Sequence, residues 1–246
     1  MCARYVSVKS DDDISEELDA VNAVDEPTPP DYNIAPTDPV RIVVNRPLRT
    51  ESGERAATPT RQLRSARWGL VPSWAKDRKG AARLINARLE TVATARAFKQ
   101  AYAKRRCLVP ADGWYEWQTV DTPTGPRKQP RFMTPGDGHL LAFAGLYEFW
   151  RAGDGPTLTT CTILTAPAIG ELTEVHDRMP LLLPRTSWAR WLDPAASDPA
   201  DLLGAWDEAA GEQLELRPVS TEVNSVKASG AQLVDRVAET TSDTLF

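Results

Sequence analysis

Cys2 stands directly behind Met1, and it heads the short list of residues in this chain that could form a covalent bond. Methionine is trimmed when the next side chain is small, so the mature chain is expected to begin with cysteine. A terminal cysteine carries an amine and a thiol on adjacent carbons. Reference pKa values near ~8 and ~8.5 leave both partly active at neutral pH, whereas a lysine near ~10.4 is almost wholly protonated. Such an aminothiol condenses with an aldehyde through nitrogen and closes a five-membered thiazolidine through sulfur. The thiol could instead attack an acyl carbon with the amine as base. Taken singly, Cys2 has a plainer reading too, as a small apolar residue packed in the first strand.

Other polar residues sit inside apolar or aromatic runs. Asn86 and Arg88 lie in LINARLET, Glu116 in LVPADGWYEW, and His176, Asp177 and Arg178 in VHDRMPLLL. A carboxylate between Tyr115 and Trp117 is expected to have its pKa raised by desolvation, which suits a general acid or base. An imidazole beside Arg178 titrates near neutrality and can carry protons. Each also has an ordinary structural reading: Glu116 on the wet side of an alternating strand, Asn86 as a helix cap, His176 as a satisfied loop residue. The chain lacks a GxxxxGK phosphate loop, a GxSxG elbow and a dinucleotide fingerprint. With two histidines and no Cys/His pair at zinc-ligand spacing, neither a metal nor a cofactor is expected.

The net charge of −5 hides a segregation. Residues 41–131 hold 20 Lys/Arg against 7 Asp/Glu, and the remaining chain 9 against 27. A basic middle interleaved with Trp68, Trp74, Trp114 and Trp117 fits a surface that holds phosphates and stacks bases. A solvated basic face is the alternative. Three cysteines without paired spacing suit a reducing compartment. No apolar run has the length of a membrane span or a signal peptide, so a cytoplasmic protein is expected.

The elements that must position these residues are many and short. Strands are expected at 3–8, 41–45, 62–70, 107–109, 114–118, 130–133, 140–149, 158–165, 181–183 and 214–220. Helices are expected at 12–21 (acidic and exposed), 90–103, 187–192 and 199–206. Prolines in 26–39 predict a loop, a polar turn stretch is expected at 49–61, and the tail after about 237 is expected to fray. Together these predict an α+β fold, a single domain over 1–246 with a curved, largely antiparallel, barrel-like sheet and flanking short helices.

In order along the chain stand MCxRY, YNIAPT (32–37), RWGLVPSWAKD (67–77), INARLET (85–91), RCLVPADGWYEW (106–117), AFAGLYEFW (142–150), TILTAPA (162–168) and VHDRMPLLL (175–183). This series resembles the SRAP family, the SOS response-associated peptidases described as abasic site processing proteins, from Cys2 to about Val226. The resemblance implies a covalent crosslink to abasic sites in single-stranded DNA through Cys2. It implies that Asn86 holds the sugar or the linkage, that Glu116 moves protons, and that His176 assists ring opening and reversal. Arg4, Arg88 and Arg178 match family arginines that hold phosphates, and Trp74 and Trp117 match aromatic positions near DNA. Ala3 departs from the family's usual glycine, and the acidic segment 9–26 looks individual to this chain. The implied partner is abasic single-stranded DNA met by a monomer in the SOS response, nucleoid-associated when bound, with replication-fork proteins as further candidates. Lyase cleavage of an untrapped imine is a side reaction of the same chemistry. Two other readings stay open: an N-terminal-nucleophile thiol peptidase using Cys2, Asn86 and His176, and a non-catalytic single-strand binding module.

Overall fold

The computed structural model describes residues 2–49, 54–196 and 214–238. In chain order, β1 (Tyr5–Ser7), α1 (Asp11–Glu17), β2 (Val21–Asn22) and β3 (Asp31–Ile34) precede a long ribbon of β4 (Pro39–Arg49) and β5 (Arg55–Trp68). Then come β6 (Asn86–Arg88), α2 (Lys99–Lys104), β7 (Arg106–Ala111), β8 (Gly113–Val120) and β9 (Arg127–Pro135). β10 (Leu141–Arg151), β11 (Thr157–Pro167), β12 (Arg178–Pro180), α3 (Arg185–Leu192) and β13 (Leu214–Pro218) complete the described chain.

Five strands close a barrel in the order β11-β10-β7-β4-β5. The ring shuts where β11 runs parallel to β5, with Thr160 beside Arg67 and Cys161 beside Trp68; the other joins are antiparallel. Strand side chains alternate between faces, and here both faces are apolar. Ile42, Val44, Val109, Phe143 and Ile163 fill the lumen. Val43, Leu63, Leu108 and Leu164 point outward and meet Ile14 and Leu18 of α1 and Trp188 and Trp191 of α3. This two-sided burial explains why β10 and β11 read as near-continuous apolar runs.

A second, antiparallel sheet, β13-β9-β8-β1-β3, covers one end of the barrel. Tyr5 of β1 meets Trp68 edge-on at 5.3 Å, and Trp114 of β8 meets Phe143 at 6.0 Å. Each such aromatic, fully withdrawn from water, contributes roughly 1.5–3 kcal/mol, with about 0.5–1.5 kcal/mol more for the ring pair. Gly113 permits this closure: a Cβ there would lie 2.4 Å from the Met133 carbonyl oxygen and 2.4 Å from the Phe132 ring.

The α+β, barrel-like expectation is met, with several local corrections. Segment 26–39 is not all loop, because Asp31–Ile34 pairs with β1 as an edge strand, and its neighbouring prolines fall outside the paired residues. The 49–61 stretch does not separate two strands by a long turn; β5 already begins at Arg55 and pairs with Arg49. Helix 90–103 contracts to Lys99–Lys104. Before it, Thr91 accepts from Thr94 and Ala95, and Ala95 from Phe98 and Lys99, as a run of turns. The 181–183 run is not a strand, since Pro180 and Pro184 flank it; Leu182 forms one isolated bridge to Phe143, and the strand lies just before it, at Arg178–Pro180. The acidic helix is shorter than 12–21 and only partly exposed: Asp11 is buried and ion-paired to Arg41. The expected helix at 199–206 and the tail beyond 238 lie outside the described residues. Among the described residues, no helix is long and apolar enough to cross a membrane.

Candidate active site

Cys2 is wholly buried, packed into the lumen cluster with Tyr5, Trp68 and Trp114 at the covered end of the barrel. Burial pushes its thiol well above the ordinary range, and the Glu116 carboxylate adds to the rise. The thiol is thus held protonated at neutral pH.

Asn86 reaches Cys2 from β6. That strand lies parallel to β11 with Asn86 beside Ile163, whose side chain is in the lumen, so Asn86 faces the barrel while Ala87 faces outward. Trp68 fixes the entry to β6 by donating its indole N–H to the Ile85 carbonyl at 2.9 Å. The Asn86 amide donates to the Cys2 carbonyl at 2.7 Å, and its Oδ1 is buried without a partner. A buried acceptor left open in this way awaits a donor.

Glu116 comes from β8. Strand alternation puts it on the face of Trp114, toward Cys2, and puts Tyr115 and Trp117 on the opposite face. It is 4% exposed. Burial raises its pKa to about 7, Asp177 adds to the rise, and Lys128 draws it down. The raised carboxyl therefore exchanges its proton in the neutral range, as a general acid or base requires.

His176 follows the 3-10 turn Gly170–Glu174 and donates its backbone N–H to Leu172. Desolvation lowers the pKa of its imidazole, while Asp177 opposes that. The Arg178 backbone N–H donates to Nδ1 at 2.9 Å, and Asp177 Oδ1 lies 2.8 Å from the same nitrogen. Neutral His176 accepting from Arg178 carries its proton on Nε2; protonated, it turns Nδ1–H to Asp177. Gln118 ties β8 to this turn by donating to the Glu174 carbonyl at 3.2 Å.

The structure therefore brings Cys2, Asn86 and Glu116 together, with His176 and Asp177 at the edge. The expected phosphate-holding residues divide. Arg88 projects to solvent from β6, on the same face as Asn86. Arg178 is held by Glu90 at 2.5 and 3.0 Å and donates to the Thr165 carbonyl at 2.5 Å. Glu90 is 47% exposed, and an ion pair that open is worth about 0–1 kcal/mol. Arg4 is buried, donating to Asn33 Oδ1 at 2.6 Å and the Val223 carbonyl at 2.8 Å, and lies over the Trp117 ring. Trp117 in turn donates to Asn224 at 2.6 Å. Arg4 and Trp117 thus pin the 218–226 segment against β1 and β8. Trp74 is the open platform, 53% exposed, with the Arg96 guanidinium 4.4 Å from its ring centre.

Sequence reasoning missed Lys128, which lies near enough to Glu116 and His176 to lower the pKa of each. Lys128 pairs opposite Thr119, on the face away from Glu116, and its ammonium donates to the Trp117 carbonyl at 3.3 Å at the edge of β8. Strand alternation could not have found it, since it assigns Lys128 to the opposite face from Glu116. Arg96 and Asn224 gave no signal either, being separated in sequence from the tryptophans they meet.

The chain is similar along nearly its whole length to several known proteins. The abasic site processing protein YoqW of Bacillus subtilis is 34% identical over 240 residues, 96% of this chain and 99% of that one. The abasic site processing protein YedK of Escherichia coli is 30% identical over 244 residues, 96% and 100% of the two chains. A crystal structure of a Bacteroides thetaiotaomicron protein shares the fold at a TM-score of 0.77 and 19% identity, covering 96% of this chain and all of that one. With the family model for SOS response associated peptidase matching residues 1–226, the chain belongs to the SRAP family.

Proposed function

We propose that this protein captures abasic sites in single-stranded DNA as a thiazolidine crosslink at Cys2, once Met1 has been removed. The observation that carries this reading is the meeting of Cys2, the open Asn86 acceptor and a Glu116 carboxyl raised to about 7 in one buried pocket. The relatives' names supply the substrate class, DNA bearing abasic sites.

An abasic deoxyribose rests mainly as a closed hemiacetal. Protonated Glu116 gives its proton to the ring oxygen while neutral His176, directly or through water, takes the proton of the C1′ hydroxyl, and the sugar opens to an aldehyde. The Cys2 amine adds to C1′, and its two protons pass through Glu116 to the C1′ oxygen, which leaves as water and gives the imine. The thiol then adds to the imine carbon and its proton passes to nitrogen. Holding the thiol protonated orders these steps, nitrogen first and sulfur second. Asn86 Oδ1 accepts from the sugar hydroxyl or the protonated imine. Without sulfur capture, an imine of this kind undergoes β-elimination, which is the lyase side reaction.

The test is incubation with single-stranded DNA carrying one abasic site, followed by a denaturing gel. A heat-stable shifted band is expected. Peptide turnover without a band would favour the thiol peptidase, and reversible binding alone would favour a single-strand binding module.

A further inference from the structure

Among the described residues, no second sheet covers the end of the barrel away from Cys2. A cleft of about 310 Å³ opens there between the ends of β4, β5, β10 and β11. We propose that this mouth is a binding site for a phosphomonoester anion, separate from the chemistry at Cys2. Arg46 and Arg64 line it, with Gln62, Tyr147, Phe149 and Thr159. Among the described residues neither arginine is ion-paired; the carboxylate on the rim is Asp25.

The arrangement is held from behind. Gln62 is 1% exposed. Its amide nitrogen donates to the backbone carbonyls of Arg46 at 2.5 Å and Thr60 at 3.3 Å. Its Oε1 is thereby turned to Arg64, accepting from Nε at 3.1 Å and Nη2 at 2.7 Å. Arg64 has five N–H donors, so three remain for a ligand. Arg46 lies 4.7 Å from the centre of the Phe149 ring, which orients its planar fork. Burial pushes the Tyr147 hydroxyl up to about 12, keeping it a donor at physiological pH.

Solvated arginines need no buried glutamine to aim them. Two guanidiniums with spare donors, one tyrosine hydroxyl and one threonine hydroxyl offer more hydrogen bonds than a carboxylate's two oxygens use. A phosphomonoester, with three terminal oxygens and up to two charges, matches both the donors and the charge. Behind the cleft the lumen is filled by Ile42, Val44 and Cys161, so a ligand at the mouth does not reach Cys2.

The experiment titrates the full chain with deoxyadenosine 5′-monophosphate, inorganic phosphate, deoxyadenosine and a 5′-phosphorylated oligonucleotide without abasic sites. Binding is read by calorimetry and by shifts of the aromatic side-chain NMR signals of Tyr147 and Phe149. The phosphorylated ligands are expected to bind and deoxyadenosine is not. Arg64→Ala and Arg46→Ala should each weaken binding by roughly tenfold or more, with partial recovery in Arg64→Lys. Binding of the monophosphate places a free nucleotide at the mouth; binding of the oligonucleotide alone places a strand terminus there. Absence of phosphate binding, or binding that leaves Tyr147 and Phe149 unshifted, would overturn the proposal. Those signals are read on the parent protein, so the outcome does not depend on whether each variant folds.

Discussion

The two ends of the barrel handle charge in opposite ways. At the covered end, β1 and β8 pack aromatic rings over the lumen, and the groups suited to chemistry there are displaced from their ordinary titration ranges: the Cys2 thiol and Glu116 upward, His176 downward. At the open end, Arg46 and Arg64 line a cleft, and Arg64 has donors to spare. Burial penalises the charged form of a group, so the closed end holds protons that a reaction can use; at the open end guanidinium donors face the cleft, where an anion can be held. On the proposed reading, one lumen serves proton transfer at one mouth and anion binding at the other.

The largest effect should come from removing the nucleophile. Cys2→Ala is expected to abolish the denaturation-resistant band on abasic DNA while reversible binding, followed by fluorescence anisotropy, persists. Retained Met1 should be equally damaging, because it ties the amine into a peptide bond; intact-mass measurement checks which form is active. A fully active preparation that retains Met1 would remove the aminothiol from the mechanism, and crosslinking by Cys2→Ala would turn attention to Cys107 or Cys161.

Glu116→Gln should separate the catalytic use of burial from its thermodynamic penalty. The variant keeps shape and loses the ionisable proton, so crosslinking should slow by roughly 10²–10⁴-fold. Sugar opening that needs protonated Glu116 should lose rate in the parent as pH rises through about 7, a dependence the variant lacks. Stability should move the other way. The folded pKa of about 7 exceeds the ordinary 4.5, so the unfolded chain releases this proton first and stability falls as pH rises between them. Glutamine carries no such penalty. Thermal melts should therefore agree near pH 4 and favour the variant at pH 8, by at most about 3 kcal/mol. A variant that is slower but no more stable at pH 8 would mean that Glu116 is compensated in the folded state.

His176→Ala tests the edge of the same end, with a smaller effect. Crosslink formation should slow less than in Glu116→Gln, because water can replace a half-exposed imidazole. Release of a preformed crosslink into excess abasic competitor should slow as well, since a group that moves a proton in closing the ring moves it back in opening. Normal formation and release would assign His176 to holding the 170–178 turn.

Much of the covered end was legible because its residues break a local rule. A glutamate within GWYEW and an asparagine within LINAR stand out against apolar surroundings, and strand alternation is enough to point Glu116 with Trp114. What was not legible depends on contacts distant in sequence. That Asp31–Ile34 is a strand follows from pairing with β1, against the prolines beside it. That Arg4 is a buried brace follows from Asn33 and Val223, the latter 219 residues away. The short span of α2 reflects Thr91, whose carbonyl accepts from Thr94 and Ala95 and caps a turn before any helix is under way.

The smallest predicted effect concerns Arg88 and Arg178, which meet β11 at the same residue, Thr165, and differ in how far they are already engaged. Arg88 is exposed, so Arg88→Ala should weaken binding to every DNA sequence alike and flatten the salt dependence by about one unit of slope. Arg178 spends part of its charge on Glu90. If a phosphate displaces Glu90, Arg178→Ala loses the same unit of slope; if the pair persists in the complex, the slope stays at the parental value and the variant loses only stability. Glu90→Gln distinguishes these cases from the other side. Freed of its half-exposed partner, which holds it by no more than about 1 kcal/mol, Arg178 should bind phosphate more tightly and steepen the salt dependence. An unchanged slope in both Arg178→Ala and Glu90→Gln would make the pair a structural clasp between the β6 edge and β12, leaving Arg88 to hold the phosphate beside the lesion.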